Sequence, residues 1–335
     1  MVGIDEAGYG PTFGPLVVSA AVFRTPRGRY PAASELASRG DDHVDVGPDL
    51  WKLLKETVTR KPDGDRIPVN DSKKIHRPRK GLGRLEEGIF PFLAVCRQTQ
   101  PVSLRELLRY LCRSNKADGY FESYPWYRDC DVELPTESFQ NYVKVLGTRL
   151  AEDLGRNDLD FLGFASNPVD VIRFNRGLVE SNNKSLIPFQ AIGELLVRIW
   201  RRFSDDDVDV VVDRQGGRIN YAKLLFEFIN PRGIRVEAQS EESSVYVLVG
   251  KNGGTMRVTF TRQGDSKSFA VALASMVSKY VRELHMALFN QFWTAQLDTL
   301  KPTAGYPMDA RRFLRDIAEA KSRLGIGDEL LIRRR

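Results

Sequence analysis

The sequence predicts an α/β protein built on a mixed sheet flanked by helices, and three features predict it. Residues 208–212 form an almost unbroken apolar run ending at Asp213, the composition of a central parallel strand buried on both faces. Residues 245–249 and 256–260 flank Gly250-Lys251-Asn252-Gly253-Gly254, a hairpin pattern, because Asn-Gly accepts the positive φ of a tight turn. Beyond them Phe269, Ala272, Leu273, Met276, Tyr280, Leu284 and Leu288 keep the spacing of a long helix with an apolar stripe. Ser268, Ser275, Lys279 and Arg282 fall on its opposite side.

Earlier elements follow in order. Residues 2–5 and 16–23 read as two strands joined by a glycine-rich turn, and 24–47 as a polar loop. A short amphipathic helix begins at Leu50, and Asn70-Asp71-Ser72-Lys73-Lys74 leads into a basic segment, 77–80. Residues 88–95 read as a strand, and 103–113 and 138–154 as helices. Tyr120, Phe121, Tyr124, Trp126 and Tyr127 lie near Arg128; base stacking competes there with packing inside an inserted region, and packing is preferred. Phe189, Ile192, Leu195, Leu196 and Ile199 mark another helix.

Composition narrows the class. In 335 residues, 42% hydrophobic and 28% charged content suit a globular protein, and a net charge of +6 is compatible with a polyanionic partner without requiring one. Cys96, Cys112 and Cys130 give neither an even disulfide framework nor a Cys-x-x-Cys zinc pair, so the cytoplasm is the expected compartment. No signal peptide is evident, and no run approaches the ~20 apolar residues of a membrane span.

The residues that can carry chemistry are acidic. Asp5 and Glu6 end the first apolar segment, before Gly8, Gly10 and Gly14. Neighbours on a strand point to opposite faces, so the pair shares a site only if the strand ends there and the backbone bends. A pair held so is a seat for a hard cation. Asp213 ends the buried run ahead of Arg214-Gln215-Gly216-Gly217, where α/β folds place ligands, although a turn-capping role is equally open. Asp265 precedes the long helix, where an N-cap is its simplest reading. His285 is expected at the surface or partly packed; a helix would carry it ~30 Å from Asp265.

Taken together, Gly3-Ile4-Asp5-Glu6-Ala7-Gly8, Asp71-Ser72-Lys73-Lys74, Asp213, Gly264-Asp265 before the helix 272–283, and Gly305-Tyr306-Pro307-Met308-Asp309 resemble, in that order, the motifs of ribonuclease H type 2 (ribonuclease HII). The resemblance covers roughly the first 25 residues, 70–76, 205–215 and 262–312; residues 88–165 match nothing in it. It implies a ribonuclease H-like catalytic domain over 1–295, with an inserted region at about 88–165 and a C-terminal helical segment, 296–335, that carries Tyr306. It also implies that Asp5, Glu6, Asp213 and Asp265 bind two Mg²⁺ or Mn²⁺ ions, an assignment their all-oxygen donor set suits. Gly8, Tyr9, Gly10, Ser72, Lys73, Lys74, Ser275, Lys279, Arg282 and Tyr306 would meet the substrate. The implied activity is endonucleolytic hydrolysis within RNA–DNA hybrids or at ribonucleotides embedded in DNA, leaving 5′-phosphate and 3′-hydroxyl ends. A monomer with no membrane partner is expected. Solvated loops or faces remain competing readings for the lysines and the helix side, and a packed turn tyrosine for Tyr306.

One position departs from the family pattern. Tyr9 stands where the family has the arginine of Gly-Arg-Gly, so the planar cationic fork is lost while backbone readout through Gly8 and Gly10 is kept. Two alternatives therefore stay open: a nuclease of the same fold acting on junction or branched nucleic acid, and a nucleic-acid-binding protein without catalysis.

Overall fold

The computed structural model describes residues 1–26, 46–76, 81–97, 100–113, 121–137, 140–250 and 253–334. Most of the loop expected over 24–47, the basic segment 77–80, Tyr120, Ser138 and the hairpin tip Lys251-Asn252 lie outside the described residues. The strands are β1 (Val2–Ala7), β2 (Leu16–Arg24), β3 (Val58–Thr59), β4 (Ile67–Pro68), β5 (Asp160–Val169), β6 (Asp207–Asp213), β7 (Gly233–Gln239), β8 (Ser243–Val249) and β9 (Thr255–Thr261). The main helices are α1 (Gly83–Cys96), α2 (Leu104–Cys112), α3 (Gln140–Arg156), α4 (Val171–Ser181), α5 (Leu186–Arg202), α6 (Phe269–Thr294) and α7 (Pro307–Asp316).

The expected mixed sheet flanked by helices is present: seven strands pair in the order β5-β2-β1-β6-β9-β8-β7. β6 lies between β1 and β9 and is parallel to both, as its apolar run requires. β8 and β9 form the expected antiparallel hairpin. Each sheet face carries its own core. Val2, Ile4, Val18, Val210 and Val212 pack with the apolar side of α5. Val17, Ala21 and Phe23 face the other way, into a layer that contains α6 and α1.

α6 is the axis of that second layer. It runs 26 residues and is buried on nearly every side, so the polar side expected of it is not a solvent face: Ser268, Ser275 and Arg282 are buried. It crosses β1 at Gly3, where a Cβ would stand 2.1 Å from the backbone of Ala270 and Val271. Only glycine allows that approach.

Residues 88–95 are not a strand. They lie within helix α1, whose Leu85, Ile89, Phe92 and Leu93 are buried. A run apolar on every side carries no period, so composition did not separate a buried helix from a buried strand. Glu86, fully buried on α1, accepts hydrogen bonds from Thr136 Oγ1 at 2.7 Å, Glu137 N at 2.9 Å and Tyr280 Oη at 2.8 Å. These bonds tie α1 to α6 and to the chain ahead of α3. Phe121, Tyr124, Trp126 and Tyr127 are buried, Trp126 against Phe289 and Trp293 of α6, so packing explains the described aromatics. Ala310, Phe313, Ile317 and Ala320 join the same core as α6. Among the described residues, no helix is long and apolar enough to cross a membrane.

Gly3→Ala should therefore cost roughly 3 kcal/mol of stability or more by forcing β1 and α6 apart, while Gly10→Ala, with nothing within 4 Å of its Cβ position, should stay within about 0.5 kcal/mol. Calorimetric melting of both variants beside the wild type measures the difference.

Candidate active site at the strand ends

The parallel register of β1 and β6 pairs Ile4 with Val212. One step further along each strand stand Asp5 and Asp213, side by side at the carboxyl edge of the sheet. Alternation puts both on the face covered by α6, the face of Gly3 and Val211. Asp5 is buried; the Ser278 hydroxyl donates to its carbonyl at 2.9 Å, and Glu6 N donates to its Oδ1 at 2.7 Å.

β1 does not end at the acidic pair. It continues to Ala7, with Glu6 opposite Val18 and Ala7 opposite Val17. Pairing with β2 keeps the backbone extended, so the expected bend comes two residues later, at Gly8 with φ +88°. Strand alternation alone would send Glu6 to the face of Val2 and Ile4, yet at this end of β1 its carboxyl lies within hydrogen-bonding reach of Asp5 and beside Asp213 and the Gln215 amide. Among the described residues no three His, Cys, Asp or Glu side chains stand close enough together to hold a metal ion as they are.

The carboxylates nevertheless feel one another. Burial, then the charges of Glu6 and Asp213, push Asp5 well above the usual carboxylate range. Burial and Asp213 raise Glu6 to about 7, with the Gln215 amide opposing. Burial and Asp265 raise Asp213 to about 6, opposed by the amide of Gly264 and the charge of Lys73. Asp265 is raised by burial and by Asp71, and eased by Lys73.

Asp213 Oδ1 accepts from Gly264 N at 2.7 Å, and a Cβ on Gly264 would lie 3.3 Å from that oxygen. The turn-capping reading of Asp213 thus holds, and its charge also reaches Asp5 and Glu6. Asp265 is not the N-cap of the long helix. It sits inside a one-turn helix, Gly264–Lys267, while Ser268 occupies the N-cap position of α6.

The other expected residues separate into those at the rim and those beneath it. Lys73 and Lys74 are exposed on the one-turn helix Ser72–Ile75, capped by Asp71, and Ser72 is buried with its Oγ 3.0 Å from Ser275 Oγ. Lys279 pairs with Glu283 at 2.6 Å. Arg282 is buried under the glycine loop: its Cδ and Nε would lie 2.5 Å from a Cβ on Gly8, and it donates to the Ala304 carbonyl at 3.1 Å. Thr12 N and Phe13 N donate to the Gly305 carbonyl at 2.7 and 3.3 Å, which brings Tyr306, 52% exposed, beside that loop. Tyr9 is half-buried, with Lys184 Nζ 5.2 Å from its ring centroid, and Gly10 is exposed.

His285 is fully buried instead of near the surface. Its Nδ1 is 2.7 Å from the Val281 carbonyl and its ring packs on Phe121 and Tyr127; burial depresses it to about 4, so it stays neutral. Sequence reading also missed Asp71 beside Asp265 and Gln215 beside Glu6. Asp71 had a signal as the residue ahead of Ser72-Lys73-Lys74, whereas Gln215 had none.

No family model matches the chain, and no curated protein does. Among solved structures it is similar to the ribonuclease HII of Archaeoglobus fulgidus in its complex with PCNA, at 13% identity and TM-score 0.42, over 99% of this chain and 93% of that one. It is similar to Bst ribonuclease HIII in complex with Mn²⁺, at 14% identity and TM-score 0.39, over 99% of this chain and 65% of that one. Ribonuclease H2 of Pyrococcus horikoshii matches at 14% identity and TM-score 0.39, over 98% and 90%. Likenesses this distant carry no argument about what the chain does.

The raised carboxylates set a pH dependence. The folded state holds their protons more tightly than the unfolded chain, so stability is greatest below the ordinary pKa near 4 and falls as pH rises towards 6 to 7. In metal-free buffer the protein should lose on the order of 2 kcal/mol across that window. Asp213→Asn should flatten the slope. Mg²⁺ or Mn²⁺ should raise the melting temperature more at pH 8 than at pH 5, because ligands must be ionised. Melting curves against pH, with and without metal, test all three.

Proposed function

We propose that the chain is a metal-dependent endonuclease that hydrolyses the RNA strand of RNA–DNA hybrids, or cuts at embedded ribonucleotides. One observation carries the reading: four carboxylates from three separate segments, Asp5 buried and Glu6, Asp213 and Asp265 half-buried, meet at one sheet edge and are electrostatically coupled, with lysine at the rim. The ordered motif resemblance supports the substrate class.

The donor set fits a hard divalent cation. It is all oxygen, and Glu6 Oε2 is buried without a hydrogen-bond partner. Asp5, Glu6, Asp213 and Asp265 would hold Mg²⁺ or Mn²⁺. When bound, two such ions would supply an activated water and stabilise the leaving 3′-oxygen, giving 5′-phosphate and 3′-hydroxyl ends. The protein's own part is placement. Gly264 N fixes Asp213, and Gly3 lets α6 close over Asp5. Lys73 and Lys74 offer compact charges to phosphate. The exposed ring of Tyr306 offers a stacking face beside the Gly8–Gly10 turn, whose backbone would read a 2′-hydroxyl.

Tyr9 in place of a cationic fork favours a second reading, a changed nucleic-acid substrate.

A cleavage panel decides between them: DNA duplex with one ribonucleotide, full hybrid, plain duplex and branched DNA, each with Mg²⁺ or Mn²⁺. The expected result is cutting of a ribonucleotide-containing substrate, reduced at least about a hundredfold in Asp5→Asn. Cutting of branched DNA alone would move the substrate; binding without cutting of any substrate would remove the catalytic reading. Tyr306→Ala should lower kcat/KM about tenfold, the size of one lost base stack.

A further inference from the structure

The segment Ile332–Arg334 lies across the glycine loop. Arg333 N donates to the Thr12 carbonyl at 3.0 Å, Asn175 Nδ2 donates to the Ile332 carbonyl at 2.9 Å, and Arg334 N donates to Asn175 Oδ1 at 2.7 Å. Arg333 is only 3% exposed, yet Nε, Nη1 and Nη2 are all buried without a hydrogen-bond partner. Its guanidinium carbon lies 4.9 Å from the centroid of the Phe174 ring, and Lys184 Nζ lies 5.9 Å from the same centroid. Its electrostatic neighbours include Arg282, a second buried cation, and Tyr306.

A buried guanidinium without partners is costly, and a like charge beside it adds to the cost. Even lowered to about 9 by burial and Arg282, it remains a cation at neutral pH. Nothing in the packing of the loop needs it, because the three bonds that fasten this segment use backbone groups and Asn175. Moving outward, the side chain would give up one aromatic contact and no hydrogen bond.

We propose that Arg333 is an anion-binding residue of the glycine-loop rim, poised to take a phosphate oxygen of a nucleic-acid strand passing between Tyr9 and Tyr306. The fork absent at position 9 is thus supplied from the far part of the sequence. The anion site stands on the unpartnered guanidinium; its assignment to a nucleic-acid phosphate rests on the proposed function.

Arg333→Met and Arg333→Lys test it, with inorganic phosphate and a fluorescent RNA–DNA hybrid in EDTA as probes. The wild type should melt higher in phosphate than in chloride of equal ionic strength. Arg333→Met should melt no lower than the wild type in chloride and lose the phosphate shift. It should bind the hybrid about tenfold more weakly, with a log–log salt slope shallower by about one. Arg333→Lys should retain part of both responses. A lower melting temperature in both variants, with the phosphate shift and salt slope intact, or failure of both to fold, would make Arg333 a packing residue and overturn the proposal. A phosphate shift that depends on Arg333 in a protein that neither binds nor cuts any nucleic acid would uphold the anion site and remove the nuclease reading.

Discussion

The contact between β1 and α6 at Gly3 is the constraint on which the site depends. Because the helix backbone touches the strand there, the next residue on that face, Asp5, is carried under the helix. The same closeness lets Ser278 reach the Asp5 carbonyl and brings Ser275 to Ser72, on the turn that bears Lys73 and Lys74. A wider gap would leave Asp5 in water, with an ordinary acidity. Burial of this carboxylate against like charges is a cost that the hydrophobic packing of α6 offsets.

Parallel pairing does the remaining placement. Adjacent parallel strands hold residues of matching register side by side, so Asp5 of β1 and Asp213 at the end of β6 come together one step beyond the Ile4–Val212 pair. The one-turn helix after β9 then adds Asp265 from a third segment, fastened by the Asp213–Gly264 bond. Glu6 joins them from the next position on β1, opposite Val18, with its carboxyl in hydrogen-bonding reach of Asp5.

Much of the sheet was legible because its signals are local. The apolar run before Asp213, the hairpin pattern and the helical stripe each report their own element, and all appear where expected. The strand assignment at 88–95 failed because a helix buried on every side shows no period. The polarity of α6 misled for a related reason: Arg282 and Ser275 look like a solvent face until the glycine loop and Ser72 are brought against them. The four acidic positions stood out in the sequence, but the neighbours of each carboxylate did not, since these come from several segments. His285 and Arg333 were illegible for the same cause. Their surroundings come from segments remote in sequence, the aromatics near 121–127 in one case and Thr12 and Phe174 in the other.

The glycine loop near the start of the chain is closed by Gly305 and by Arg333, near its other end. These are among the longest-range contacts a chain of this length can make, and such contacts form late because loop closure must precede them. Synthesis therefore delivers β1 and its acids long before the pieces that enclose them. A chain on the ribosome made only as far as β6 carries an open, unshielded loop, and the contacts that enclose it form only once Gly305 and Arg333 have emerged.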